Sequence, residues 1–413
     1  MCRAAQISYT ELEILNPDER KATNMKEKVQ RIWEHTRALR PVIEDHRGEC
    51  AGCAGLHRLP GAIARAFAEA NVYRLLLPEE FGGEDIDPIT YFDLVEEVAS
   101  YDGSAGWNYS IGSSTPIILG SLSAARLRQI LATSDCCIAA SASPPGRAIV
   151  DGDGYRVTGR FAWASGIHQA QWVAVNCFVF DGDKMRRSAA GLPVTLGFLM
   201  PKEDCKVLDT WHVLGMRETG STEFEVSGAL APKDMAVSFA GAQSSHPYPI
   251  FHLPPTYFGY NHVSVMTGIA RSALQGLKAL AATKTTAMTG TNLRDEPQAQ
   301  YAIAKAEAII DANRLAVKAA FSALWAKVMA REAVPLEIRA HVRRSIAYAA
   351  ECALEAVQLC YQAAGGDAIY EAAPFERALR DINTAATHLT TRRIMMEEAG
   401  RVTFGLPPRT PLF

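Results

Sequence analysis

The run Asp151-Gly-Asp-Gly-Tyr-Arg-Val-Thr-Gly-Arg-Phe-Ala-Trp163 decides the class of fold. Its first four residues are turn formers. From Tyr155 onward apolar and polar residues alternate, the period-two pattern of a strand entered from a hairpin-type turn. The strand texture continues downstream. Trp172-Val-Ala-Val-Asn-Cys-Phe-Val-Phe180 reads as a continuous apolar strand, Gly197-Phe-Leu-Met200 as another, and Thr222-Glu-Phe-Glu-Val-Ser-Gly228 alternates again. On both sides the periodicity is helical. Helices are expected over 26–43, 60–70, 89–101 and 124–131, broken by the turn Pro78-Glu-Glu-Phe-Gly-Gly83. Beyond the strands, the alanine-rich stretches 267–284, 298–328 and 336–364 have high helix propensity and few breakers, and long apolar helices of this kind pack as a bundle. Helices, strands, then helices predict a mainly α fold with a central β domain. The expected parts are an N-terminal helical domain (1–135), a β domain (136–240) and a C-terminal helical bundle (241–413). The first two dozen residues match no element, and the proline-rich stretch from Pro247 to Pro255 reads as an irregular loop.

The bulk properties narrow the function. A chain of 413 residues with 48% hydrophobic and 21% charged residues can bury a large core. A net charge of -3 gives no electrostatic reason to expect nucleic acid or an anionic membrane as partner. No apolar run has membrane-spanning length and the N-terminus lacks a signal-peptide pattern, so a cytoplasmic location is expected. The nine cysteines are scattered, several within apolar segments, which fits buried thiols better than a disulfide framework.

Four segments carry groups able to do chemistry. Phe161-Ala-Trp-Ala-Ser-Gly-Ile-His168 ends a strand in Ser-Gly, where the backbone can come close to a flat ligand, a tryptophan can wall it and a serine can bond its heteroatoms. The same residues equally describe an aromatic pair in a sheet core. Trp211-His-Val-Leu-Gly-Met-Arg-Glu-Thr-Gly-Ser221 clusters Arg217, Thr219 and Ser221 between turn glycines. Gln362-Ala-Ala-Gly-Gly-Asp367 ends a long helix, either as a plain C-cap or as exposed amides that can cradle a phosphate. Finally, Arg377, Asp381, Thr384 and His388 recur at spacings of four, three and four, which on a helix stacks them along one face beside an apolar stripe. Such a row lines a buried pocket or forms a solvated face with a salt bridge. His46, Cys50, Cys53 and His57 have zinc-ligand identities, but all four fall within a dozen residues, too tight for the usual split pairs, and no metal site is expected. Asp151-Gly-Asp-Gly154 lacks the later ligands of a calcium loop. Nucleophile-elbow and P-loop motifs do not occur.

Taken in order, Leu77-Pro-Glu-Glu-Phe-Gly-Gly83, Gly154-Tyr-Arg-Val-Thr-Gly159, Leu214-Gly-Met-Arg-Glu-Thr-Gly-Ser221, Gln362-Ala-Ala-Gly-Gly366 and Arg377-Ala-Leu-Arg-Asp381 resemble the acyl-CoA dehydrogenase superfamily. The resemblance implies a helical domain, a β-barrel-like middle domain and a C-terminal four-helix bundle, assembled as a homotetramer. Two departures point away from acyl-CoA dehydrogenation. The dehydrogenases' Thr-Glu-Pro-x-x-Gly-Ser-Asp type segment is replaced by Ser143-Pro-Pro-Gly-Arg-Ala-Ile-Val-Asp151, and the position of the usual catalytic glutamate is Leu389, beside His388. Without a carboxylate there, α-proton abstraction loses its general base, although some relatives carry that base on another helix. Pro144-Pro145-Gly146, the strand end Gly159 to Gly166 and His388 are similar to the flavin-dependent monooxygenase branch, which includes oxygenase components acting on 4-hydroxyphenylacetate, dibenzothiophene and indole-3-acetate. In one departure, Ile167 precedes His168 where many relatives have an acidic residue.

By that resemblance the cofactor is reduced flavin (FAD or FMN), supplied by a separate flavin reductase. With O2 it forms a C4a-hydroperoxyflavin that hydroxylates a small aromatic substrate of phenolic or indole type. Ser165 would bond the flavin near N5 with Trp163 at the ring edge. Arg217, Thr219 and Ser221 would contact the ring or ribityl chain, and Gln362, Gly365 and Gly366 would meet the phosphate end of a neighbouring subunit's flavin. His388, catalytic with Ser165, would sit near C4a and substrate, while Asp381 and Arg377 orient their helix. Trp107, Asn108, Tyr257, Tyr260 and His262 are expected as the substrate wall. The rival expectations are a dehydrogenase-type flavoprotein acting on an acyl thioester, and a catalytically idle bundle kept as a binding partner.

Overall fold

The computed structural model describes residues 17–49, 57–189, 191–239, 244–286, 290–410 and 413, without the side chains of 17–22 and 143–145. Helices α1 (Pro17–His46), α2 (Gly61–Glu69), α3 (Pro88–Tyr101), α4 (Gly103–Ser114) and α5 (Ala124–Ile130) come first. Strands β1 (Ile138–Asp151), β2 (Gly154–Phe161), β3 (Trp172–Asp181), β4 (Lys184–Met185), β5 (Thr195–Pro201), β6 (Cys205–Val207), β7 (Phe224–Pro232) and β8 (Ala236–Val237) follow. Helices α6 (Thr256–Thr283), α7 (Pro297–Met329), α8 (Leu336–Ala364), α9 (Pro374–Ala385) and α10 (Arg393–Thr403) complete the chain. No helix among the described residues is long and apolar enough to cross a membrane.

The strands form one sheet in the order β6-β7-β2-β1-β3-β5-β8, with β4 on β3. The turn at Gly152 and Asp153 closes a β1–β2 hairpin in which Asp151 pairs with Gly154. Gly152 has φ +57°, a conformation that glycine adopts without a Cβ penalty. β1 itself has no clear signal in the sequence. Its pairing with β3 slips between Ser141 and Gly146, the stretch that contains Pro144 and Pro145, and proline has no N–H for a ladder.

Three differences from the sequence expectation matter for the site. No sequence signal marks helix α4: its sequence, Gly-Ser-Ala-Gly-Trp-Asn-Tyr-Ser-Ile-Gly-Ser-Ser, is poor in helix formers. Tertiary contacts make it. Asp102 caps the amide of Ala105 at 2.8 Å, and almost every side chain of α4 is buried. Glycines let the neighbours in: a Cβ on Gly106 would meet Ala99 at 2.5 Å, and one on Gly268 of α6 would meet the Glu96 carbonyl at 2.4 Å. The second difference is that α6 begins at Thr256, well before residue 267, so Tyr257, Tyr260 and His262 are helical and buried. Third, α9 ends at Ala385, and His388 belongs to the turn that follows, its amide bonded to the Ala385 carbonyl at 3.1 Å. The row Arg377, Asp381, Thr384 lies on the helix. His388 is delivered by the turn.

Candidate active site

The three expected site segments meet beside α4. At the end of β2 the chain turns through Trp163, which has φ +60° and is 66% exposed, into the buried Ser165. The Ser165 corner is held against the 216–222 loop, since the amides of Ala164 and Gly166 donate to the carbonyls of Thr222 and Thr219. Here the side-chain hydroxyls form a chain. Trp107 Nε1 lies 3.0 Å from Ser165 Oγ, Ser165 Oγ 2.7 Å from Ser221 Oγ, and Ser221 Oγ 2.6 Å from Thr219 Oγ1, which donates to the Met216 carbonyl at 2.9 Å. Each hydroxyl has one proton. Thr219 spends its proton on Met216, so Ser221 donates to Thr219 and Ser165 donates to Ser221. The chain therefore runs one way, from the indole N–H to the carbonyl. Ser165 has no proton left for a ligand, only a lone pair.

On the other side of Trp107 stand two histidines. The His262 ring stacks on the indole at 4.6 Å and 8°, and the His388 ring lies 4.1 Å from His262 and 5.6 Å from Trp107. Both imidazoles bond one hydroxyl: Thr390 Oγ1 is 2.7 Å from His262 Nδ1 and 2.9 Å from His388 Nδ1. Burial lowers the pKa of both. His388 falls to about 4, with Arg343 adding to the effect of desolvation, and His262 falls well below its ordinary value through burial, His388 and Arg343. Both rings are neutral at pH 7. Arg343, fully buried, has its own pKa lowered to about 9 by desolvation. It reaches this corner because Gly259 has no side chain, since a Cβ there would meet Arg343 at 3.0 Å and Thr390 at 3.3 Å.

The row on α9 locks the loop that carries Thr219 and Ser221. Asp381 Oδ1 accepts the Met216 amide at 2.5 Å, and Thr384 Oγ1 accepts the Gly215 amide at 3.0 Å. Gly215 has to be glycine, because a Cβ would stand 2.1 Å from the Arg380 carbonyl oxygen. Arg377 bridges Asp102 and Glu218, each at 2.7 Å, and lies 3.9 Å from Asp381. Asp381 is raised by burial, against the pull of Arg377. Glu218 is likewise raised by burial and by Asp102. The first three residues of the row act as scaffold: Asp381 is buried, Arg377 and Thr384 are half-buried, and their partners are loop amides and carboxylates.

The remaining expected residues divide. Arg217 is half-buried and donates to the Val213 carbonyl at 3.1 Å. Asn108 donates to the carbonyls of Ser104 and Glu218 and accepts from Gln169, so its amide ties α4 to both loops. Tyr260 stacks on Phe321 of α7 at 3.9 Å, and Tyr257 lies 5.7 Å from the same ring, so both look toward α7. Gln362, Gly365 and Gly366 form an exposed turn at the far end of α8, where Lys284 pairs with Asp367. They are not brought to Ser165 within one chain. Cys50 and Cys53 lie outside the described residues. His46 bonds Glu49 and His57 bonds the Trp211 carbonyl, and no metal-binding group of three or more acidic, His or Cys residues occurs among the described residues. The residues that sequence reading missed are Thr390 and Arg343. Thr390 is one of two threonines just after His388, and Arg343 sits inside a helix of ordinary composition; neither carries a motif.

Comparison with known proteins gives the family of the chain. The family described as "Acyl-CoA dehydrogenase, C-terminal domain" matches residues 260–393. Indole-3-acetate monooxygenase of Pseudomonas putida is 29% identical over 348 residues, 84% of this chain and 87% of that protein. The flavin-dependent monooxygenase oxygenase subunit HsaA of Rhodococcus jostii is 29% identical over 389 residues, 90% and 97% of the two chains. A pigment production hydroxylase of Rhodococcus sp. is 30% identical over 356 residues, 83% and 89%. The crystal structure of 3-HSA hydroxylase from Rhodococcus sp. RHA1 superposes with a TM-score of 0.83 at 27% identity, covering 92% of this chain and 99% of that one. The chain belongs to the flavin-dependent monooxygenase branch of the acyl-CoA dehydrogenase superfamily. It is an oxidoreductase of that class, with reduced flavin as its cofactor.

The residues present suit such a group. Trp163 is a large apolar surface left uncovered at a strained left-handed corner, two residues before a serine whose remaining hydrogen-bonding capacity is that of an acceptor. A flat heteroaromatic ring would cover the indole and offer that serine a donor.

Proposed function

We propose that the chain is the oxygenase component of a two-component system, hydroxylating a small phenolic or indole-type substrate through the C4a-hydroperoxide of reduced flavin supplied by a separate reductase. The observation that carries this reading is the neutral His262–His388 pair packed against Trp107. Among the described residues, these side chains and Ser165 bond or pack against alcohols, an indole, an imidazole and a backbone amide, and no carboxylate. Dehydrogenation of an acyl thioester needs a carboxylate base at the reacting carbon. The carboxylates close to the site, Asp102, Glu218 and Asp381, are engaged by Arg377 and by loop amides.

Reduced flavin, when bound, supplies activation of O2. The chain supplies position and dryness. Ser165 would accept from the N5–H that a reduced ring carries, Trp163 would pack at the ring edge, and Arg217, Thr219 and Ser221 would hold the ring side of the loop. Trp107 and His262 form the flat wall for an aromatic substrate, with Asn108, Tyr257 and Tyr260 as the layer that keeps this wall in place. His388 stands at the edge of that wall as the residue that polarises a substrate O–H or N–H or returns a proton. Burial of the hydroxyl chain and of His262, with His388 half-buried beside it, would limit the water that releases peroxide unproductively.

Gln362 is 19 residues beyond Arg343 on α8, roughly 28 Å along a helix axis. Its turn with Gly365 and Gly366 would therefore meet the phosphate end of flavin bound to a neighbouring copy, in a homotetramer. The test is direct. Protein, reduced flavin, oxygen and a phenol or indole should yield hydroxylated product, and stopped-flow spectra should show a long-lived oxygenated flavin. Reduction of a dye by acyl-CoA in the absence of oxygen would overturn the reading.

A further inference from the structure

His262, Thr390 and His388 are joined through one hydroxyl, and the contacts around it favour one placement of the protons among them. The Thr390 backbone N–H points to His388 Nδ1 at 3.4 Å, and a backbone N–H can only donate. His388 Nδ1 is therefore an acceptor and, in the neutral ring, His388 carries its proton on Nε2. The 2.9 Å contact between His388 Nδ1 and Thr390 Oγ1 must then hold the threonine proton. That proton being used, the 2.7 Å contact between Thr390 Oγ1 and His262 Nδ1 must hold the proton of His262. His262 is left with a bare lone pair on Nε2, and that atom is buried with no hydrogen-bond partner. The two rings are held as opposite tautomers. One ends in an acceptor, the other in a donor, and a single hydroxyl connects them.

We propose that Thr390 is a proton-relay residue coupling His262 to His388. Resting on the monooxygenase reading, the relay runs as follows. A polar proton of the substrate, from a phenol O–H or an indole N–H, passes to His262 Nε2. The His262 Nδ1 proton passes to Thr390 Oγ1, the Thr390 proton passes to His388 Nδ1, and the His388 Nε2 proton goes to the second oxygen atom of O2, which leaves as water. Each of the three residues gains one proton and loses one, so no ring becomes charged at the end of the transfer. Beside the fully buried Arg343 guanidinium, a route that builds no lasting imidazolium is the economical one. Afterwards each ring is the other tautomer, and the relay resets by the reverse shift in the empty site. Thr390 touches neither flavin nor substrate in this scheme and acts through the two rings.

The test reads the tautomers first. Nitrogen-15 spectra of histidine-labelled protein without flavin, at pH 7.5, with His262→Gln and His388→Gln for assignment, should show His262 protonated at Nδ1 and His388 at Nε2. Thr390→Val, equal in shape but without the hydroxyl, should abolish the fixed opposition, and Thr390→Ser should restore it. In turnover, Thr390→Val should lower product formed per reduced flavin by about fivefold, a change of ~1 kcal/mol, with Thr390→Ser near wild type. Identical tautomers at the two rings in the wild type, opposite tautomers that persist in Thr390→Val, or an unchanged product yield in Thr390→Val would each overturn the relay. Absence of product with the wild-type protein would instead count against the monooxygenase reading, and the spectra would still decide the proton assignment.

Discussion

Trp107 Nε1 stands 3.0 Å from Ser165 Oγ, a contact between residues 58 apart in the chain. It ties α4, a helix of low intrinsic propensity, to the strand end that presents Trp163. The bond also feeds the one-way hydroxyl chain ending at Met216, and so determines which hydrogen-bonding role Ser165 offers a ligand.

That role predicts selectivity for the redox state of the flavin. Oxidised flavin has an unprotonated N5 and needs a donor, whereas reduced flavin carries N5–H and needs an acceptor. Ser165→Ala should weaken binding of reduced flavin about tenfold, or ~1.4 kcal/mol, and leave oxidised flavin nearly unchanged. Anaerobic and aerobic fluorescence titrations measure the two constants. Equal weakening of both would show that Ser165 is not held as an acceptor.

Arg377 holds two carboxylates that are almost wholly buried, with Asp102 and Glu218 side chains each 1% exposed. Arg377→Met keeps the volume but removes the cation that both carboxylates share, a change expected to cost about 3–5 kcal/mol. The loss should shrink as pH falls, because Glu218, already raised by burial and by Asp102, takes up a proton. Denaturant unfolding of the variant at pH 7.5 and pH 4.5 checks both the size and the trend.

Gly106 allows α4 to touch α3. Because a Cβ would meet Ala99 at 2.5 Å, Gly106→Ala must push the helices apart or break their packing, with a cost of about 1–3 kcal/mol. The shift falls next to Trp107, so flavin affinity should drop along with the melting temperature. A variant with wild-type values of both would mean that α4 moves freely.

His388 gives the fold a defined pH dependence. Its pKa is lowered to about 4 in the folded chain from an unfolded value of 6.5, so between these limits the unfolded chain binds more protons. Its contribution to stability is therefore complete above pH 6.5 and is lost as pH falls toward 4, up to about 3 kcal/mol. His388→Gln should flatten the fall in unfolding free energy over this window by up to one proton's worth, a difference visible in denaturant titrations at pH 7 and pH 4.5.

His388 should matter to chemistry more than to flavin binding. His388→Ala is expected to keep reduced-flavin affinity within about twofold while most oxygen consumed appears as peroxide rather than product. Product yield at the wild-type level in that variant would remove His388 from the mechanism.

Much of the frame was legible from residues 151–163 and their neighbours, because alternation and turn residues are local signals. The strands around Trp172, Gly197 and Phe224 and the helix 336–364 come out where the periodicity puts them. β1 and α4 did not. Two prolines hide the first, and a run of glycine and serine hides the second, since both elements are made by partners distant in sequence rather than by their own propensity.

The candidate site shows the same division. Ser165, Thr219, Ser221 and His388 could be singled out because they stand in ordered motifs, and the missing carboxylate beside His388 could be read by counting along the chain. Proton placement could not. It depends on a backbone amide at 3.4 Å and two imidazoles sharing Thr390, contacts between α6 and the turn after α9 that span 128 residues. By itself the sequence determined the order of elements, the family resemblance and the chemical kinds of groups available. Only the tertiary structure decided which of those groups face one another, because hydrogen bonds are made at distances of about 3 Å that no spacing along a chain specifies.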